Sequence, residues 1–354
     1  MGTEGSTSAT GTREEPLTVT IPRPTSEPSP PDDATRFGAL VGRLSRQSVE
    51  KHFDAYADVD WDALDLRIDL ADPRWELEDF DPIATTKWYR AQPQGVRSRL
   101  GLQRIAITMR TGWEFENVLQ RGLLAYAFWL PNSRPEFRYV HHEVIEESQH
   151  TMMFQEFVNR TGMDVRGLPR RIKLAAELLV IPLARLSPAL FFFFVVGGEE
   201  PIDHVQRRRL RAGIAHPLLE RIIRIHVTEE ARHLSFARHY LQREVPRLPR
   251  WRRGVLSVAV PLLLGTMVRL MLAPPRGFAR RNGVPADVVR DAKRSPAHRE
   301  LLRDSVARIR RLCVATGLVN PVSRLAWRAV GLWEHPTDGD AANAPEAAPA
   351  GGPA

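Results

Sequence analysis

The sequence predicts an all-α fold, a helical bundle, and three observations carry that expectation. Apolar residues recur at three- and four-residue spacing over long segments. Those segments stop at glycine or proline. No segment alternates apolar and polar residues as a half-buried strand would.

The elements follow in order. Residues 102–130, "LQRIAITMRTGWEFENVLQRGLLAYAFWL", read as one helix that ends at Pro131 and Asn132. Residues 136–162 read as a second, stopped by Gly162. An apolar segment, 172–196, leads into a helix through "EEPIDHVQRRRL". Residues 218–243 form the next, ending before Pro246, and further helices are expected at 255–272, 286–293 and 297–316. Together they make one domain over residues 37–333. The flanks, 1–36 and 334–354, are rich in Pro, Ser, Thr, Ala and acidic residues and read as disordered tails.

Charge is unevenly spread. Residues 1–36 hold three basic and six acidic side chains, and 334–354 hold none and four, so the +8 of the whole chain conceals +15 between them. A basic solvated surface accounts for this, since the arginines lack interleaved aromatics and no nucleic-acid module is recognisable. The lone cysteine, Cys313, excludes an internal disulfide framework, a zinc ribbon and a thiolate-bound iron–sulfur cluster. It fits a reducing cytoplasm, and no basic-then-apolar start suggests secretion. No dinucleotide or P-loop signature occurs.

Two segments have membrane-like apolarity, 172–196 and 255–273. Lys173, Glu177 and Arg185 interrupt the first, and Pro261 and Arg269 the second. Charges within a span are costly in lipid, whereas a helix inside a large bundle is also apolar all round. Burial is therefore the expectation, with membrane contact less favoured.

The chemistry sits on two helices. In "IHVTEEARHL", His226, Glu230 and His233 fall within about 60° of one another at 100° per residue, so one face carries all three. Upstream, "EESQH" repeats the Glu-x-x-His spacing with Glu147 and His150. A dimetal carboxylate site needs one further Glu from each of two other helices. Glu114 or Glu116 supplies one before the first pair, and Glu199 or Glu200 one before the second. Carboxylates neutralise two close cations and suit iron or manganese, while the imidazoles leave the metals redox-active. His226 lies one turn before Glu230 and offers a third nitrogen.

The pieces "FENVLQRGLL", "EESQHTMMF", "GGEEPIDHVQR" and "IHVTEEARHLSFAR" resemble the p-aminobenzoate N-oxygenase family, the AurF-like non-haem diiron oxygenases with a ferritin-like bundle. The likeness spans most of 95–333. It implies seven ligands: Glu116, Glu147, His150, Glu199, His226, Glu230 and His233. Glu146, Glu229 and Asp203 are then candidates to bond ligand imidazoles, or else to pair with Arg207 and Arg232. The implied reaction is O2-dependent N-oxygenation of an arylamine or another amine to a hydroxylamine or nitro product in secondary metabolism. It would use two iron ions, with manganese as the alternative metal, and an external electron donor. The assembly is left open, with a homodimer as one form. Trp113, Phe115, Met152, Met153, Phe154 and the run 191–194 are candidates to line an apolar pocket, or to be core. Rival readings are a membrane-associated diiron lipid hydroxylase or desaturase, a ferritin-like metal oxidase without organic substrate, and a silent bundle that binds a partner.

Overall fold

The computed structural model describes residues 1–2, 33–273 and 276–333. It is all helical, with no strand among the described residues. In chain order the helices are α1 (Asp33–Glu50), α2 (Lys87–Arg90), α3 (Gln94–Ala127), α4 (Glu136–Thr161), α5 (Arg170–Leu186), α6 (Pro188–Ala212), α7 (Pro217–Glu244), α8 (Arg250–Leu272), α9 (Arg276–Arg281), α10 (Ala286–Arg294), α11 (Pro296–Ser305), α12 (Ala307–Ala315) and α13 (Pro321–Ala329).

Helices α3, α4, α6 and α7 form the central four-helix unit. α3 lies along α4, α6 lies along α7, and the two hairpins pack on each other. Their ends follow from local chemistry. Gly162 and Gly213 take left-handed φ of 63° and 67° just past α4 and α6, where a Cβ would be strained. Pro217 opens α7, whose first turn has no use for its missing N–H. The centre of the core is aromatic. Phe192 packs on Tyr240 (ring centroids 4.3 Å apart) and edge-on to Tyr126 and Phe236, and all four are buried.

The remaining helices wrap this unit. α1 covers α4 and α7, α5 covers α3 and α6, and α8 covers α6 and packs against α13. α8 buries Leu256, Val260, Leu264 and Val268, a stripe at four-residue spacing, and exposes Trp251, Val255 and Leu262. It is therefore a one-sided bundle helix. By length and composition its run, Arg250–Arg281, is the one among the described residues that could cross a membrane, yet half of its apolar window is buried.

Several boundaries differ from the sequence expectation. Helix α1 begins at Asp33, inside the stretch read as tail; the rest of both tails lies outside the described residues, apart from residues 1–2. The apolar segment 172–196 is not continuous: Ser187 (φ −143°, ψ 66°) breaks it ahead of Pro188. Phe191, Phe192 and Phe193 then turn fully inward, whereas Leu174, Leu178 and Leu179 of α5 face out. The single helix expected at 297–316 splits at Val306. Between α1 and α2 the chain is largely irregular, with two short 3-10 turns. Aspartates there bond their own backbone: Asp54 accepts from the Tyr56 and Ala57 N–H groups, Asp69 from Ala71, Asp72 from Arg74 and Asp81 from Ile83, at 2.8–2.9 Å. Such local bonds compete with helix formation. This segment closes tightly on α3, because a Cβ at Gly101 would lie 1.7 Å from the Trp75 carbonyl oxygen.

Candidate metal centre

Each helix of the central unit turns carboxylates or imidazoles into one buried cluster. α3 supplies Glu116, α4 supplies Glu147 and His150, α6 supplies Glu199, and α7 supplies His226, Glu230 and His233. All seven are buried. One potential ligand atom from each of Glu116, His150, His226 and Glu230 falls within 4.8 Å of the others. The same holds for Glu116, Glu147 and Glu199, and for Glu143, Glu147 and His233. The groups overlap at Glu116 and Glu147, so two cation positions side by side match the arrangement.

The close sequence alternatives point elsewhere. Glu114 accepts from the Leu168 N–H (2.7 Å), lies 3.0 Å from Arg110 and pairs with Lys173. The loop that holds it passes so near that a Cβ on Gly167 would sit 2.4 Å from Glu114 Oε2. Glu200 faces Arg238 at 2.8 Å. Phe115 lies directly over Gly198, where a Cβ would meet the ring at 1.9 Å. Gly198 thus lets α3 and α6 close at the level of Glu116 and Glu199, while Gly197 faces Leu264 and Met267 of α8.

The imidazoles are oriented from behind. His150 Nε2 donates to Glu229 (2.8 Å) and His233 Nε2 donates to Glu146 (2.7 Å). An ionised carboxylate only accepts, so each ring is left with Nδ1 facing the cluster. His150 Nδ1 lies 3.3 Å from Glu147, and His233 Nδ1 lies 3.0 Å from Glu230. His226 has the opposite orientation. Its Nδ1 is 2.9 Å from Gln206 Oε1, which leaves Nε2 facing Glu116 at 3.5 Å. Arg232 joins the two supporting carboxylates, 2.7 Å from Glu146 and 3.5 Å from Glu229. Asp203 serves no imidazole; it binds Arg207 Nε at 2.7 and 2.9 Å.

Two residues escaped the sequence reading. Glu143 lies one turn before Glu147 on the same face, and the 143, 147, 150 spacing was a usable signal. Gln206 gave none, because it meets His226 from another helix.

Burial and crowding set the electrostatics. Burial, with the neighbouring carboxylates, pushes Glu116 and Glu199 well above the usual carboxylate range. Burial raises Glu143 to about 8. Burial alone would depress His150, but its bonds to Glu147 and Glu229 outweigh that and raise it to about 10. Burial and the adjacent His150 push His226 well below its ordinary value, towards the neutral ring that a cation requires.

Among the described residues, Glu116 Oε2, Glu199 Oε1, Glu230 Oε2 and both Glu143 oxygens are buried without a hydrogen-bond donor. A buried oxygen left so costs about 1–3 kcal/mol, more when ionised. Cations among them would satisfy these oxygens, and the mixed carboxylate and imidazole set suits iron or manganese. The residues fit a dimetal centre.

The cluster opens on a cavity of about 100 Å³. Glu116, Glu199 and His226 form its floor, with Phe115, Phe154, Met109, Ile202 and Val205 among its walls. Of the other aromatic and thioether candidates, Met153 and Phe191–Phe193 are core, Met152 is partly exposed, and Trp113 stacks under Arg110 (3.9 Å to the ring centre). Two arginines reach the cavity wall, and both are matched: Arg104 by Asp81 (3.4 Å) and the Leu272 carbonyl (2.7 Å), Arg209 by Glu78.

Comparison with known proteins adds the following. Residues 36–317 match the family model described as P-aminobenzoate N-oxygenase AurF. A protein of Mycobacterium bovis and one of Mycobacterium tuberculosis, each named only as an uncharacterized protein, are 43% identical over 299 residues, covering 84% of this chain and 87% of each relative. No solved structure matches.

Proposed function

The chain belongs to the p-aminobenzoate N-oxygenase family, and from that premise we propose that it is a diiron N-oxygenase acting on an arylamine or related amine. The proposed ligands are Glu116, Glu147, His150, Glu199, His226, Glu230 and His233, with Glu143 as a further carboxylate beside His233. The observation that carries this reading is the buried cluster of donor-free carboxylate oxygens and oriented imidazoles opening on an apolar cavity.

When bound, the iron pair supplies the reduction of O2 and the transfer of one oxygen atom. In the first step an amine, O2, two electrons and two protons give a hydroxylamine and water. The electrons come from a separate donor, since the chain carries no flavin or nicotinamide signature. The chain's own residues position and exclude. Phe115 and Phe154 line the cavity beside Glu116, Glu199 and His226 and limit the water that reaches them. Glu146, Glu229 and Gln206 hold the three rings in the tautomers that leave a lone pair facing inward. The cavity is smaller than an engineered ~150 Å³ cavity that takes benzene. A single aromatic ring would therefore fill it, with Met109 and Met271 giving way.

The test is iron content, wild type beside His226→Ala, followed by an arylamine screen with O2 and reductant. About two irons per chain, reduced in the variant with the helical content intact, support the reading. Reproducible failure to take up iron after anaerobic reconstitution sinks it. An iron-loaded chain that oxidises no amine keeps the centre and refutes the substrate class.

A further inference from the structure

On the far side of the cavity wall lies a much larger cleft, of about 1230 Å³. Thr111 of α3 lines both spaces. The last turn of α8 divides them as well: Met271 and Leu272 face the cavity, while Leu270 and Ala273 face the cleft. Their linings differ sharply. Eight cationic side chains line the cleft, against one carboxylate, Asp164, among the described residues.

Some of that charge is matched. Arg110 and Lys173 share Glu114, and Arg269 donates to the carbonyls of Gly265 (2.7 Å) and Val330. Arg166, Arg170, Arg280 and Arg281 have no carboxylate partner among the described residues, and all four are exposed. They converge from separate elements: the loop before α5, the first turn of α5, and α9. Arginine-rich surfaces are ordinarily convex and solvated, and like charges there lie apart at little cost. A concavity raises the local potential and concentrates anions. Its size exceeds the ~300–1,000 Å³ usual for small-molecule sites. Guanidinium groups pair with phosphate through two parallel N–H bonds, a geometry that lysine lacks. The metal-side cavity offers an anion nothing comparable, because Arg104 and Arg209 are already matched there.

We propose that this cleft binds the phosphorylated end of a small-molecule ligand whose uncharged end reaches the metal cavity past Thr111. The phosphate site stands on the cleft alone; the link to the cavity rests on the function proposed above.

The experiment is calorimetric titration of the full chain at low salt, without added metal, using adenosine 5′-diphosphate with adenosine as the uncharged control. Saturable one-to-one binding of the diphosphate, absent for adenosine, is expected. The double substitution Arg166→Glu with Arg280→Glu should raise Kd at least tenfold, and Arg281→Ala alone should raise it severalfold. Arg46→Glu, exposed on α1, should leave it unchanged. All four positions are exposed, and circular dichroism checks that each variant folds. No saturable binding, or equal weakening by Arg46→Glu, overturns the proposal. Co-sedimentation with phosphatidylglycerol vesicles that needs Arg166 and Arg280, without diphosphate binding, also overturns it and assigns the charge to a lipid surface. None of these readouts involves iron or amine oxidation, so this proposal and the oxygenase reading fail independently.

Discussion

Replacing Glu229 by glutamine keeps its shape and removes one charge, and the surroundings dictate the outcome. Glu229 is fully buried and surrounded by donors: the Phe53 N–H at 3.1 Å, His150 Nε2 at 2.8 Å and Arg232 at 3.5 Å. A carboxylate accepts from all three, but an amide has one oxygen and one NH2. If the amide oxygen faces His150, its NH2 confronts the Phe53 N–H or Arg232. One buried donor is then unpaired, at about 1–3 kcal/mol. If the oxygen turns the other way, the NH2 faces His150 Nε2. That nitrogen must then accept, and the ring proton moves to Nδ1, the position that faces the cluster. Loss of such supporting groups lowers metal affinity about 10–100-fold, which is about 1.4–2.7 kcal/mol. Anaerobic iron titration of wild type and Glu229→Gln, with thermal melts of both, reads the two branches separately. Weaker iron binding marks the ring inversion, and a lower melting temperature without added iron marks the unpaired donor. Unchanged iron affinity together with an unchanged melt would refute the role given to Glu229.

Other outcomes follow from the same contacts. Gln206→Leu removes the acceptor that fixes His226, so bound iron should fall below two per chain in metal analysis while circular dichroism stays unchanged; full iron occupancy would rule that role out. Gly198→Ala places a methyl 1.9 Å from the Phe115 ring, and overpacking of this kind costs about 1–3 kcal/mol, to be read as a lower midpoint in urea. Burial, with Arg104 nearby, depresses His298 to about 4 from its ordinary 6.5. The unfolded chain therefore binds the proton first, and the contribution of His298 is intact above pH ~6.5 and lost as pH falls towards 4. Acid-side unfolding curves of wild type and His298→Gln should converge over that window, and parallel curves would contradict the shift.

The helices were legible because packing demands a period, and their interruptions were not. Pro188 was a local sign of the break at Ser187, but Pro182 stands inside α5 and the apolar residues run on to Val196, so the spacing alone did not separate the two helices. The Asp-rich segment after α1 stays irregular for a local reason: its aspartates bond nearby backbone N–H groups. At the cluster, the Glu-x-x-His pairs stood out because both members lie on one helix. Glu114 and Glu116 lie about 160° apart around their helix and Glu199 and Glu200 about 100°, and which member of each pair faces the cluster depends on distant partners, Leu168 and Lys173 for one and Arg238 for the other. Gln206 meets His226 only through the packing of α6 on α7. Glu143 differs from these, because its spacing was in plain view.

The distribution of charge also separates two jobs within one centre. Groups behind the imidazoles are closed: Glu146 and Glu229 each have His and Arg232 as partners, and their carboxylate oxygens are matched without any cation. Groups in front are open, with several carboxylate oxygens lacking a donor. A purely structural buried network would satisfy both sides, since an unpaired buried oxygen only weakens the fold. The asymmetry is what a ligand set requires. The rear must hold the rings in place before the cations arrive, and the front must offer lone pairs that no protein donor has claimed. Helices α4 and α7 each carry both kinds of group, Glu146 beside Glu147 and Glu229 beside Glu230. Adjacent residues on a helix diverge by about 100°. One carboxylate can thus support the imidazole that the partner helix contributes, while its neighbour faces the centre.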